Sequence, residues 1–341
     1  MRLTSLLALC LAPIAWAQFD FRFDQQQRRW ILRNGVAEAE YQLTRAGTFE
    51  FSRFSVPTTG ERWSAAAGFS QSPIRLSLDG QPYGPNTEFT LVAQFARPIP
   101  RRGYRQVIVL QDSRGLGRVQ VELEMFENQP AIRQSIRFRN LLDTAVHVTE
   151  ADMLPLSLSD RGRTFRSFSV NQWGGGGLFG NFEPDIERLG TDVEFVVYSG
   201  AAASECGWVA LRDDASRGLF AGWEFDGRAI ASLRHDENQR RLELSVLITE
   251  LNRRLAPGQE FRVPAAFVGA FRGDWEEAGY RTQRFVEAVL ARALPDNRFP
   301  YVVWNSWGYQ TEIDEAVLRR NAQIAASLGV ELFVVDLGWA Q

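Results

Sequence analysis

The stretch Asn305–Gln341, NSWGYQTEIDEAVLRRNAQIAASLGVELFVVDLGWAQ, passes from a strand end through a helix to a second strand that runs into Asp336, Gly338 and Trp339. Thr311 and Asp314 stand in capping-box spacing. Ile313, Val317, Ile324 and Leu328 mark one helical face, and Gly329 falls at the C′ position. Arg298–Trp304 before the helix and Glu331–Val335 after it are nearly all apolar, the composition of strands buried on both faces of a parallel sheet. Strand, helix and strand in about 40 residues predict a βαβ unit with a right-handed crossover. Two parallel strands leave both edges and both faces open, so the rest of such a sheet is expected from residues beyond this chain.

Working upstream, the texture changes at Gly273. Asp274 is a natural N-cap, and Ala278, Phe285, Val286, Val289, Leu290 and Ala293 fall near 3.6-residue spacing before Pro295. This predicts a linker helix over 273–296. From 18 to 272 the period drops to two. Glu88–Phe95, Tyr104–Leu110, Arg118–Met125 and Arg241–Ile248 alternate apolar and polar residues, as half-buried antiparallel strands do. Turn chemistry separates them at Asp79-Gly80, Asp112–Gly115, Asn128–Pro130 and Ala256–Gly258. The region reads as a large antiparallel β-sandwich.

The chain has 341 residues, 45% of them hydrophobic, and a net charge of −3. That balance gives no electrostatic reason to expect nucleic acid or an anionic membrane as partner. All 38 basic residues are arginine, so no lysine serves as a Schiff-base nucleophile or phosphate-loop cation. Residues 1–17 carry Arg2, an apolar run and Ala15-Trp16-Ala17, the pattern of a cleaved secretory signal. The mature product is expected to begin at Gln18, to be exported (periplasmic or extracellular), and to carry no membrane anchor. Cys206 then remains as its one thiol, which excludes an internal disulfide framework. Nothing in the sequence sets the oligomeric state.

Asp336 is the leading candidate for chemistry. A carboxylate directly after a buried parallel strand sits where such folds bind ligands; it can accept hydrogen bonds from sugar hydroxyls, act in catalysis, or cap the next loop. Trp307 and Trp339 at the two strand ends suit stacking on sugar C–H faces or core packing. Asn305 and Ser306 could hydrogen-bond a ligand or cap the strand. Other signals are weaker. Gly174–Gly177, after Asn171-Gln172-Trp173, reads as a turn rather than a phosphate cradle. His147 and His235 lie far apart in strand-like contexts, so with Cys206 they do not predict a zinc site or a Cys–His dyad. Asp213-Asp214 and Asp236-Glu237 read as solvated turn acids. No Gly-x-Ser-x-Gly elbow occurs. No cofactor is implied.

At Asn305-Ser-Trp307 and Val334-Val-Asp-Leu-Gly-Trp339 the sequence resembles glycoside hydrolase family 36, the α-galactosidase family. Leu255–Pro264 with Gly273-Asp274 also resembles the end of that family's N-terminal domain. The resemblance implies a β-supersandwich over 18–272, followed by a (β/α)8 catalytic barrel that begins at 297–341 with strand 1, helix 1 and strand 2. It implies retaining hydrolysis of an α-galactoside or related oligosaccharide, with a nucleophile after strand 4 and an acid/base after strand 6. Both would lie beyond Gln341, so this chain alone is expected to be inactive. Asp336 would bind hydroxyls of the sugar and Trp307 would wall it. Leu337 stands where many members carry a second Asp, which leaves sugar selectivity open. Two alternatives stay open: a non-catalytic carbohydrate-binding sandwich, and a related α-glycosidase or transglycosylase with other sugar selectivity.

Overall fold

The computed structural model of the chain describes residues 19–69, 71–173, 181–200, 206–291, 301–309 and 314–336. The signal-peptide stretch, the Gly174–Gly177 turn, Thr311, Ile313, Leu337, Gly338 and Trp339 lie outside the described residues, as do the side chains of Asn171, Gln172 and Trp173. The chain divides into two compact units, Met1–Leu290 and Ala291–Gln341.

The first unit is built from antiparallel sheets of five, nine, four and four strands. The five-stranded sheet is a meander from Asp20–Asp24 to Glu61–Ser64. The nine-stranded sheet runs in the order Asn181–Leu189, Phe165–Trp173, Trp208–Asp213, Arg217–Trp223, Glu260–Arg272, Ala131–Asn140, Gly117–Phe126, Gly103–Asp112, Phe89–Ile99. The four strands read from alternation correspond to Phe89–Ile99, Gly103–Asp112, Gly117–Phe126 and Arg241–Ile248. Arg241–Ile248 buries every second residue, the signature of one face on the core and one toward solvent. One contiguous core draws on all four sheets, with Trp30, Phe49, Ile108, Val119, Val148 and Val246 among its fully buried members.

Local chemistry explains the joints. Asp79 (φ 48°) and Gly80 (φ 77°) are both left-handed in the two-residue loop that joins Leu76–Leu78 to Gln81–Tyr83. Such a loop matches the right-handed twist of its strands, and Asp and Gly tolerate that backbone best. At one end of the nine-stranded sheet, Phe89–Ile99 is an edge strand that leaves Val92 and Phe95 exposed. A register shift at Leu91/Ala93 and Pro98 blunt that edge against pairing with another chain.

Helix α1, Trp275–Phe285, starts at Asp274, whose side chain accepts the Glu277 N–H, and continues as a π-helical turn over Val286–Leu290. Ala278 and Phe285 are buried in a second apolar cluster with Phe126, Phe220, Phe267 and Phe271. The helix read from sequence as a linker is thus packed on the nine-stranded sheet.

In the second unit Val303–Asn305 and Leu332–Val334 pair in parallel, with Trp304 stacked on Phe333 at 4.1 Å between centroids. Helix α2, Glu315–Ser327, connects them. Its N-cap is Asp314, which accepts the Val317 N–H; the sequence places Asp314 instead at the third position of a box opened by Thr311. The C-terminus is a Schellman turn: Val330 N–H bonds Ala325 O, Gly329 N–H bonds Ala326 O, and Gly329 has φ 80°. Two expectations change here. The buried helix positions are Asn321 and Ala325, while Ile324 and Leu328 are exposed. The strand residues expected to be buried on both faces, Val302, Val303, Leu332 and Val335, are also exposed.

Candidate functional site

Where the two parallel strands end, three side chains named from the sequence meet. Asn305 Nδ2 donates to Asp336 Oδ2 at 2.9 Å, and Asn305 Oδ1 accepts the Trp307 N–H at 2.7 Å. The Asp336 N–H donates to Ser306 Oγ at 2.7 Å, and Ser306 is fully buried. The pairing register places Asn305 beside Val334, the last residue of its strand, so strand geometry brings the tip of one strand close to Asp336, two residues past the end of the other. Asn305 then uses both ends of its amide to fix Asp336 and the turn carrying Trp307. Trp307 opens out of a single 3-10 turn over Ser306–Tyr309 and is half-buried. A carboxylate held this way is preorganised to accept hydrogen bonds, with little reorganisation on meeting a hydroxyl.

The first unit holds titratable groups whose environments the sequence did not disclose. Asp213 is buried, not a solvated turn acid. It accepts from Arg163 Nη1 at 2.8 Å and Arg217 Nε at 2.9 Å, and from the N–H groups of Ala215 and Arg217. Burial works against its charge, but the Arg217 N–H and the two guanidiniums outweigh that and hold the carboxyl below its ordinary value. Asp214, beside it, is exposed and bonds Thr164 Oγ1. His235 is buried with Nε2 3.0 Å from Asp160 Oδ2. Burial opposes the Asp160 charge as well, yet the Gly162 N–H, His235 and Arg240 keep that carboxyl low. His147 is half-buried, with Nδ1 3.3 Å from Asp79 Oδ1. Cys206 is an exposed free thiol. Among the described residues no group of three or more His, Cys, Asp or Glu is placed to hold a metal.

A cavity of about 960 Å³ opens beside α1, with Phe168, Val170, Ile186, Trp208, Trp275 and Val286 among its walls. Phe168 stacks on Trp275 at 5.1 Å, and Trp208 Nε1 donates to Thr282 Oγ1. Only alternation over Phe168–Val170 and the lone Trp208 hint at it in sequence, because its walls come from segments more than a hundred residues apart.

No family model matches the chain, and no curated protein matches it. Solved structures do match. The family 36 α-galactosidase AgaB from Geobacillus stearothermophilus superposes with a TM-score of 0.73 at 18% identity, over 94% of this chain and 50% of that one. The galactosidase domain of the α-galactosidase–sucrose kinase AgaSK gives 0.69 at 16% identity, over 94% and 51%. A variant of AgaA, from the same Geobacillus species and in complex with raffinose, gives 0.72 at 16% identity, over 91% and 50%. The chain spans about half the length of each. The β unit of this chain therefore has the fold of the N-terminal sandwich of family 36 α-galactosidases.

Proposed function

We propose that the chain supplies the β domain and the opening strand–helix–strand of an exported, α-galactosidase-like retaining glycoside hydrolase. The observation that carries this reading is the Asn305–Ser306–Asp336 lock at the ends of a parallel strand pair, in a chain whose β unit has the fold of such an enzyme's N-terminal sandwich. In it Asp336 accepts hydrogen bonds from hydroxyls of an α-galactoside or related oligosaccharide. Trp307, with Trp339, walls the sugar, and Asn305 holds the carboxylate in aim. Leu337 stands in the sequence where many members of that family carry a second acid, so the reading leaves the choice of sugar open.

Retaining hydrolysis needs a nucleophile and an acid/base about 5–5.5 Å apart. The reading assigns neither to this chain, so the 341-residue chain is expected not to turn over an aryl α-galactoside. The test is to read the gene past codon 341 and assay the chain and any longer product side by side. Turnover by the longer product alone supports the reading. A longer product without two such carboxylates, a stop codon directly after Gln341, or turnover by the chain alone overturns it.

A second reading, a carbohydrate-binding sandwich without catalysis, is favoured by the aromatic cavity beside α1. Calorimetric titration with raffinose decides it. Sub-millimolar affinity that Trp275→Ala removes supports it, and no heat refutes it.

A further inference from the structure

Glu61 is out of place by the ordinary rules of burial. It opens the last strand of the five-stranded sheet and is 2% exposed, yet neither carboxylate oxygen has a hydrogen-bond partner. A buried carboxyl with nothing to bond costs several kcal/mol unless it is neutral or meets a ligand. It faces a cleft of about 180 Å³ whose other walls are Gly60, Arg62, Arg161, Arg163 and Arg217. That volume holds one tetrahedral oxyanion and a few waters, at about 30 Å³ per water.

The charges around the cleft do not balance. Asp213 pairs with Arg163 and Arg217. Among the described residues Arg62, Arg161 and Arg272 have no ion pair, although Arg161 Nη2 reaches Ser64 Oγ and Arg272 Nη1 reaches Thr59 O. The Arg163 guanidinium lies over the rings of Trp63 and Phe165, 4.7 and 5.3 Å from their centroids, and its Nη2 is buried without a partner. Arg161 feels this crowding: burial, then Arg163, Arg62 and Arg217, lower its pKa.

We propose that this cleft is an oxyanion-binding site, in which the forks of Arg62, Arg161 and Arg163 grip a phosphate, sulfate or sulfate ester and Glu61 donates a hydrogen bond to it in its protonated form. Guanidinium forks match such oxygens two at a time, and a neutral carboxyl supplies a donor where a carboxylate would repel. Burial pushes the Glu61 carboxyl up to about 7, with Arg217 opposing, Asp213 adding, and Arg272 and Arg163 opposing. Near neutrality, then, binding takes up a proton at Glu61. The site belongs to the β unit and stands whether or not the glycosidase reading holds.

The experiment is calorimetric titration of the whole chain with inorganic sulfate, inorganic phosphate and galactose 6-sulfate at pH 6 and pH 8. Millimolar or tighter binding of sulfate, whose charge is the same at both pH values, is expected at pH 6 and is weakened at least tenfold at pH 8. Both arginines of R62A/R161A are exposed, so the fold survives and affinity falls at least tenfold. With sulfate as the ligand, E61Q keeps affinity at pH 8 level with pH 6 and abolishes proton uptake, seen by repeating the titration in buffers of different ionisation heat. Tighter binding of galactose 6-sulfate than of free sulfate assigns the anion to a saccharide, and equal binding assigns it to the free ion. No heat up to 20 mM of any of the three at pH 6, or an E61Q variant with the wild-type pH dependence, overturns the proposal.

Discussion

The two compact units answer the same sequence signal differently. In the β unit, alternating strands put Trp30, Phe49 and Val119 at essentially zero exposure. In the second unit the strands are more apolar still, yet Val302 is 57% and Leu332 45% exposed, and Leu328 on α2 reaches 76%. The difference is one of partners. An antiparallel sandwich supplies its own second layer, whereas a parallel pair with a single crossover helix covers neither its outer face nor its edges. Apolar content therefore says that a segment needs burial, and only the count of strands and layers says whether it gets it.

The largest expected effect lies in the complete unit. Asp213→Ala leaves the half-buried Arg163 without its ion pair and the N–H groups of Ala215 and Arg217 without their acceptor, and should lower unfolding free energy by about 2–3 kcal/mol, measured by urea denaturation followed by tryptophan fluorescence. Asp213→Asn, which keeps the turn's backbone bonds, should cost less. A loss below about 0.5 kcal/mol would return Asp213 to the class of solvated turn acids.

Next comes a pH dependence. The Glu61 carboxyl lies near 7 in the folded chain against an ordinary 4.5, so between those values the native state binds more protons than the unfolded one. Stability from Glu61 is fully present below pH 4.5 and is lost as pH rises through 7, up to about 3 kcal/mol in all. Glu61→Gln should flatten that slope and stabilise the chain at pH 8. An unchanged slope would show that Glu61 does not titrate there.

The smallest effect sets two like caps against each other. Asp274 and Asp314 both accept the N–H three residues on, at 3.0 and 2.8 Å. Asp274→Ala should reduce the main unfolding transition by about 1 kcal/mol, because α1 is packed into the core of the β unit. Asp314→Ala should shift that transition by no more than about 0.5 kcal/mol, because α2 belongs to the other unit. Equal shifts would mean that the two units unfold as one.

Sequence alone located much of this. Period-two alternation found the strands, the Asp79-Gly80 pair found its turn, and Gly329 marked the end of α2. Asn305, Ser306 and Asp336 drew notice in sequence because they sit at strand ends, but that they bond one another was not legible, since it depends on the parallel register of the two strands. Exposure in the second unit was not legible, since burial depends on layers the chain's local pattern does not count. Nor was the arginine cleft. Glu61, Arg161 and Asp213 are some 50 to 150 residues apart and meet only through the order of strands in the sheets. A carboxylate pair such as Asp213-Asp214 looks the same in sequence whether its first member is buried or solvated.

The proposed function sets Asp336 against sugar in a hydrolase active site, and this is tested most directly in the longest product that the gene encodes. The measurement is kcat/KM on an aryl α-galactoside for the wild type against Asp336→Asn, which keeps the shape and the partners Asn305 and Ser306. The account predicts a loss of about a hundredfold or more, the scale of removing one preorganised polar contact at a reacting sugar. An Asp336→Asn enzyme with undiminished kcat/KM would contradict it.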